Sequence, residues 1–412
     1  MTQHTSKWRR LKLAVGALGM CLCAFGGSAL AANTSPDGLW DEISESAVTR
    51  SAQARQIVPN AYRTLKLNRA ELTAQLAQVP EERLTALESS QSTLLLPTPE
   101  GGFDAYRVVE TAVLAAALAK RFPTLKTYVG QGITDPTATL RFDLTDKGFR
   151  AQIISWRGTS YIDPFQPGDL EHYIAYRKAD YLPDRERPKC LLTGQDLPKD
   201  LPNFQQRGVS AKIVSGASLR TYRLAMAATG EFTAFHGGTV LDGLGAIVTT
   251  VNRINGIYER EVAVRMQLVA NTELVIYTDS ASDPYSNNDG SAMLGQNLST
   301  LNSVIGAGNY DIGHVVSTGG GGVAGLGVVC TGGKARGVTG LGSPITDSFD
   351  VDFVAHEMGH QFAGSHTFNG SGGNCSGGNR SGPFAYETGS GVTVQAYAGI
   401  CSSDNVQPNS ED

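Results

Sequence analysis

Three of the chain's 7 histidines fall in one short stretch, His356-Glu357-Met358-Gly359-His360-Gln361-Phe362-Ala363-Gly364-Ser365-His366. Histidines four apart on a helix project from one face, close enough to bind a single metal ion together. Val354, Met358 and Phe362 repeat at the same spacing and supply the apolar stripe that packs such a helix into a core. Glu357 adjoins a ligand and can take a proton from water at the metal, which is general-base work. Gly364 lets the chain leave the helix and fold back, so that His366 brings a third nitrogen. Three protein ligands and one open position make a catalytic zinc site, whereas a structural site needs a fourth ligand that the neighbouring sequence does not offer. The candidate ligands are His356, His360 and His366, and the candidate base is Glu357. His236 and His314 stand alone, the latter inside a strand pattern, and read as structural residues.

Such a helix needs a layered framework. Residues 219–225 alternate like a strand, 240–258 have helical spacing, and 262–269 alternate again. A short strand at 274–277, a helix at about 291–305 and a strand at 312–317 follow. Strands interleaved with helices imply an α/β layer structure. The glycines at 319–322, 325 and 327 mark a loop of close backbone approach rather than a phosphate cradle, since Gly333-Lys334-Ala335 lacks the Ser or Thr after the lysine. Residues 32–216 read as a different unit. Helical spacing at 81–90 and 107–121 precedes strand-like runs at 138–144, 151–156 and 172–176, separated by turn residues such as Gly148, Gly158 and Pro164. Pro183, Pro188, Pro198 and Pro202 then crowd a polar stretch that reads as a linker. This half holds no catalytic constellation; a binding domain is one reading, and its place between a signal peptide and an enzyme-like half favours an α+β propeptide domain.

Charged residues make up 18% of the chain, below the roughly 25% usual in soluble domains, so charge-driven disorder is not expected. The net charge is −5, and from Leu219 onward 8 basic residues face 17 acidic ones, which excludes a basic surface for nucleic acid. Lys7, Arg9, Arg10 and Lys12, the apolar run 13–25 and Ala29-Leu30-Ala31 together read as a cleavable signal peptide over 1–31, too short to span a bilayer. The mature chain is expected outside the cytoplasm, secreted or periplasmic, without a membrane anchor. Cys190, Cys330, Cys375 and Cys401 remain in it, and four cysteines allow three pairings.

The stretch from His356 to His366 resembles the long zinc motif of the metzincin metallopeptidases. Asp352-Phe353-Val354-Ala355 before it, Thr367-Phe368-Asn369-Gly370 after it, Gly325-Leu326-Gly327-Val328-Val329-Cys330, Arg336-Gly337-Val338-Thr339-Gly340 and Tyr397-Ala398-Gly399-Ile400-Cys401 are similar to the bacterial reprolysin-like (adamalysin-type) branch. The resemblance covers about the last half of the chain, 217–412. It implies a mixed, twisted five-stranded sheet over an active-site helix, with peptide substrates along an edge strand. It also implies Zn2+ on His356, His360 and His366, with Glu357 as base. Two positions depart from the family pattern. Ala363 stands where the family has a glycine at a sharp turn, and Gly364 is expected to take that turn over. Gln395 stands where the family has a methionine beneath the metal, and a buried amide needs partners that a thioether does not. Tyr397, two residues on, is a candidate for steadying the transition-state oxyanion, with a packed core tyrosine as the alternative.

Export, and the position of two cysteines in Gly/Ser-rich loops, predict a Cys375–Cys401 disulfide. The resemblance implies that Cys330 pairs beyond residue 412, where related domains continue. Arg187-Pro188-Lys189-Cys190 loosely resembles the cysteine-switch segments of metzincin zymogens, which makes Cys190 a candidate fourth metal ligand in the latent form only. A Cys190–Cys330 disulfide is the competing reading. The expected protein is a monomeric zinc endopeptidase, secreted as a zymogen and acting on protein or peptide substrates. The alternative is an inactive metzincin-fold binding protein that has lost turnover through Ala363, Gln395 and an expected truncation at the C-terminus.

Overall fold

The computed structural model describes residues 34–51, 53–182, 190 and 218–411. The expected signal peptide and the proline-rich stretch lie outside these residues. The N-terminal half is built from β1 (Trp40–Glu42), β2 (Arg63–Leu67), α1 (Arg69–Leu76), β3 (Thr93–Pro97), β4 (Phe103–Thr111), α2 (Ala116–Arg121), β5 (Lys126–Gly132), β6 (Thr139–Thr145), β7 (Gly148–Ser155), β8 (Gly158–Pro164) and β9 (His172–Arg177). The nine strands form one sheet in the order β1-β2-β9-β8-β7-β6-β5-β4-β3. From β3 to β9 it is a meander, each strand antiparallel to the next in sequence. The strands expected near 138, 151 and 172 are β6, β7 and β9. The two expected helices are corrected. Residues 81–90 hold only a 3-10 turn at Leu87–Ser89, and 107–121 divides between the end of β4 and α2. Val108, Val109 and Thr111 are β-branched and pair with β5, while the helix is confined to the Ala-Leu-Lys-Arg stretch that favours it.

The C-terminal half contains β10 (Arg220–Ala228), α3 (Gly230–His236), α4 (Val240–Val262), β11 (Val264–Leu268), α5 (Gly290–Leu301), β12 (Ile312–Ser317), β13 (Gly322–Ala324), β14 (Gly337–Gly340), α6 (Thr346–Phe349) and α7 (His356–Gln361). Its sheet runs β11-β10-β12-β14-β13, parallel except for the antiparallel edge strand β13. The mixed five-stranded sheet is therefore as expected. Residues 274–277 are not a strand. Leu274 and Val275 belong to a 3-10 turn at Thr272–Val275, and the next residue touches β10 through a single bridge from Ile276 to Ala228. The helix expected to reach 305 ends at Leu301 and continues as a π-type turn to Gly306. No helix among the described residues is long and apolar enough to cross a membrane.

The long helix α4 joins the halves. Thr239 and Asp242 form a reciprocal capping box at its start. Leu244, Ile247, Val248, Val251 and Ile254, all fully buried, turn one stripe toward the C-terminal core. Thr249, Asn252, Arg253 and Glu259 line the other side, and they meet the nine-stranded sheet. Strand alternation explains how. Leu140, Phe142, Phe149, Ala151, Ile153 and Ile162 point to a core confined to the N-terminal half. Their neighbours Arg141, Asp143 and Asp163 point at α4. Thr249 Oγ1 donates to Asp143 at 3.0 Å, Asn252 Nδ2 donates to the Phe142 carbonyl at 2.9 Å, and Arg141 pairs with Glu259. Arg253 bridges Asp163 at 2.8 Å and Asp350 at 3.0 Å. Apolar contact completes the junction. Val113, Leu114, Leu118, Leu125 and Ile154 share a core with α4, β10 and β11. Backbone bonds from Leu268 N to Val113 O (2.8 Å) and from Ala115 N to Leu268 O (2.9 Å) cover the free edge of β11.

Candidate metal centre

Three elements in series deliver the histidines: α6, a π-type turn at Asp350–Ala355, and α7. Val354 and Met358 are fully buried in the main core, and the Phe362 ring meets Tyr222 edge-on at 5.1 Å. The apolar stripe read from the spacing thus seats α7. Tyr258 Oη donates to the Ala355 carbonyl at 2.6 Å and ties the turn to α4. Gln361 faces the sheet, where its Oε1 and Nε2 contact His314 Nδ1 (2.9 Å) and the Gly313 carbonyl (2.8 Å). His314 Nε2 meets Thr339 Oγ1 at 2.9 Å, so this histidine is the structural pin expected of it.

The helix stops in a Schellman-type turn. Gly364 N donates to the Gly359 carbonyl and Ala363 N to the His360 carbonyl, both at 2.8 Å. Ala363 itself carries φ +73°. The expectation that Gly364 would take over the left-handed position is therefore corrected. The hydrogen bonds fix the register of the turn, and its left-handed residue falls on the alanine.

His356, His360 and His366 come together with Cys190, their ligand atoms all within 4.8 Å of one another. Each imidazole Nδ1 faces a backbone carbonyl, that of Val394 (2.7 Å), Gly364 (2.6 Å) and Asn379 (2.7 Å) respectively. A carbonyl only accepts, so each Nδ1 carries the proton and each Nε2 presents a lone pair. Those lone pairs converge: His360 Nε2 lies 3.0 Å from His356 Nε2 and 3.2 Å from His366 Nε2. Tetrahedral Zn–N bonds of about 2.0–2.1 Å place their nitrogens ~3.3 Å apart. Burial holds His356 down at about 4 and His366 at about 3, and it lowers His360 well below the ordinary value. The imidazoles are thus kept neutral, as ligation requires. Cys190 Sγ sits 3.5 Å from His360 Nε2, and the Cys190 backbone bridges Gly322 at the start of the edge strand β13.

Glu357 is fully buried, and neither carboxyl oxygen has a hydrogen-bond partner apart from the Cys190 sulfur beside it. Burial pushes its carboxyl up to about 8. The Tyr397 hydroxyl is in the same condition, and burial raises it well above the usual phenol value. Its ring stacks on Phe368 at 4.5 Å and meets His366 edge-on at 4.6 Å. Convergent lone pairs and two polar groups left without partners describe a place built for a cation and a polar ligand. Gln395 lies beneath. Its Nε2 donates to the His356 carbonyl at 2.7 Å, and added Cβ atoms at Gly359 and Gly364 would come within 2.8 Å of it. Two glycines therefore make room for an amide at the position expected to hold a methionine.

The family description Metallo-peptidase family M12B Reprolysin-like matches residues 218–412. This half of the chain belongs to the reprolysin-like metallopeptidases. No curated protein matches the chain. Among solved structures it is similar to metalloproteinase-II from Bacteroides fragilis, with 13% identity, 71% of this chain and 87% of that chain covered, and a TM-score of 0.37. The family carries a catalytic metal, typically zinc, and the donor set of the reprolysin-like half fits one. The Cys375–Cys401 disulfide is present, as expected, and fastens the segment after His366 to the segment after Tyr397. It is a bond suited to an extracellular or periplasmic compartment. Cys330 is an exposed thiol, and Cys190 is buried against the histidines, so the competing Cys190–Cys330 bond is not formed. What sequence reasoning missed is the support around the ligands. Gln361 follows His360 directly and carried no signal of its own. Asp347 and Asp350, spaced along the lead-in to α7, carried no signal of their own, and Asp352 entered only as part of the segment that resembles the family.

A cavity of about 330 Å³ opens beside His356. Leu341, Phe353, Val394 and Ile400 give it apolar walls, and Gln56 and Tyr181 of the N-terminal half reach it from outside.

Proposed function

We propose that the chain is a secreted zinc endopeptidase made as a zymogen. The convergence of three neutral imidazole nitrogens beside a buried carboxyl group, whose one polar neighbour is the Cys190 sulfur, supports this reading most strongly. His356, His360 and His366 would hold Zn2+, which when bound supplies the Lewis acidity that polarises a peptide carbonyl and acidifies water. Glu357 takes the proton of the attacking water and passes it to the leaving amine. The Tyr397 hydroxyl donates to the oxyanion as it develops. The substrate lies along β13, with one side chain in the cavity beside His356. Residues 32–216 act as the propeptide, and in the latent form Cys190 takes the position the attacking water needs. Two of the grounds for the inactive-binder reading were Ala363 and Gln395. Ala363 makes its turn and the Gln395 amide nitrogen donates to the His356 carbonyl, while its buried Oε1 has no partner among the described residues; the three histidines converge with both residues in place.

The test is metal content and peptide hydrolysis on the full-length chain. Stoichiometric zinc is expected, lost in His360→Ala, with hydrolysis abolished by chelator and restored by zinc. Cys190→Ser should raise the activity of the uncut chain. Zinc retained at full stoichiometry in His360→Ala would overturn the ligand assignment, and a silent Cys190→Ser chain would overturn the switch.

A further inference from the structure

Two of the three acidic residues on the approach to α7, Asp347 and Asp352, are held directly from the N-terminal half, and the third, Asp350, is linked to it through Arg253. Asp347 accepts a hydrogen bond from Tyr161 of β8 and pairs with Lys178, which follows β9 directly. Lys178 Nζ also reaches Asp352 at 3.4 Å and Ser410 Oγ at 3.2 Å. Asp350 shares Arg253 with Asp163 of β8, and Asp163 in turn binds Arg150 at 2.6 Å and the Tyr176 hydroxyl at 2.8 Å. Asp347, Asp350 and Lys178 are each less than one-tenth exposed. Removing the N-terminal half would take Tyr161 and Lys178 from Asp347 and Lys178 from Asp352, and would leave the buried Arg253 without Asp163. It would also bare the edge of β11 and the apolar surface now covered by Val113, Leu114, Leu118 and Leu125.

We infer that the N-terminal half stays docked after the connection between the halves is cut, so that the active peptidase is a two-chain assembly. Cleavage severs the segment carrying Cys190 from the catalytic half but leaves the nine-stranded sheet as a permanent support for the metal helix. Gln56 and Tyr181 then remain as part of the wall of the substrate cavity. The inference rests on the zymogen reading for the cut itself, so the experiment supplies the cut by design.

A site-specific protease sequence is inserted between Gln205 and Gln206 of the full-length chain, which is then cleaved to completion. Gel filtration follows at neutral pH, in low salt and in 1 M salt, with both fragments tracked by intact mass. One peak containing both fragments at either salt is expected, since buried pairs are poorly screened, with separation only in denaturant. Cleaved Tyr161→Phe/Lys178→Ala chain should release its N-terminal fragment more readily than the parent. Separate elution of the parent fragments, with the C-terminal one monodisperse and still binding zinc, would overturn the inference. Co-elution is read without any activity measurement, so a failure of the peptidase reading is scored independently.

Discussion

Two buried polar clusters lie on either side of the turn that enters α7, and they are finished differently. Around Arg253 every carboxylate oxygen of Asp163 and Asp350 accepts a hydrogen bond. Around His360, the Glu357 oxygens and the Tyr397 hydroxyl are left without them, apart from the Cys190 sulfur. Charges that satisfy one another hold a structure together, whereas polar atoms kept waiting in a dry site are kept for a ligand.

Three substitutions probe that contrast. The largest effect belongs to Glu357→Gln. The amide cannot accept the water's proton, so hydrolysis should fall by about 10²–10⁴-fold. Zinc content should stay, and urea unfolding of the metal-free chain should show little loss of stability, because the Cys190 sulfur is the one polar neighbour affected. Activity within twofold of the parent would show that another group is the base. Next comes Arg253→Met, which fills similar space but leaves Asp163 and Asp350 without their shared cation. Breaking such a buried pair costs about 3–5 kcal/mol, read from the urea midpoint. A change under about 1 kcal/mol would mean the cluster is not the support it is taken for. The smallest effect is a gain. Ala363→Gly relieves the left-handed alanine, and the flexibility that glycine adds to the unfolded chain offsets part of it, leaving about 0.5–1 kcal/mol of stabilisation. A loss of stability instead would show that the methyl group, beside Gly327, contributes packing.

The same contrast explains what the sequence disclosed. The ligands and the base were legible because their chemistry dictates both residue type and spacing, and α4, β10, β11 and β12 were legible because one buried face leaves a clean period. Much of the N-terminal sheet was not. β8 alternates Tyr161 and Asp163 on one face with Ser160 and Ile162 on the other, and both faces are buried, so no polar-out pattern survives. The stripe of Thr249, Asn252, Arg253 and Glu259 on α4 reads as a solvent face for the same reason. Its partners lie about 100 residues away. The Ala363 turn could not be assigned either, because it is decided by which backbone bonds close the helix and not by which residue is the more flexible.

The sheet topology bears on the order in which the chain folds. From β3 to β9 each strand pairs with its neighbour in sequence, so those contacts close short loops, and all of that sheet precedes residue 218. The parallel pairs β10–β11 and β10–β12 instead join strands separated by helices, a slower kind of closure. During synthesis the meander can therefore be complete while α4 is still emerging, and its face of Arg141, Asp143 and Asp163 is ready as a template on which the helix, and then the strands behind it, assemble.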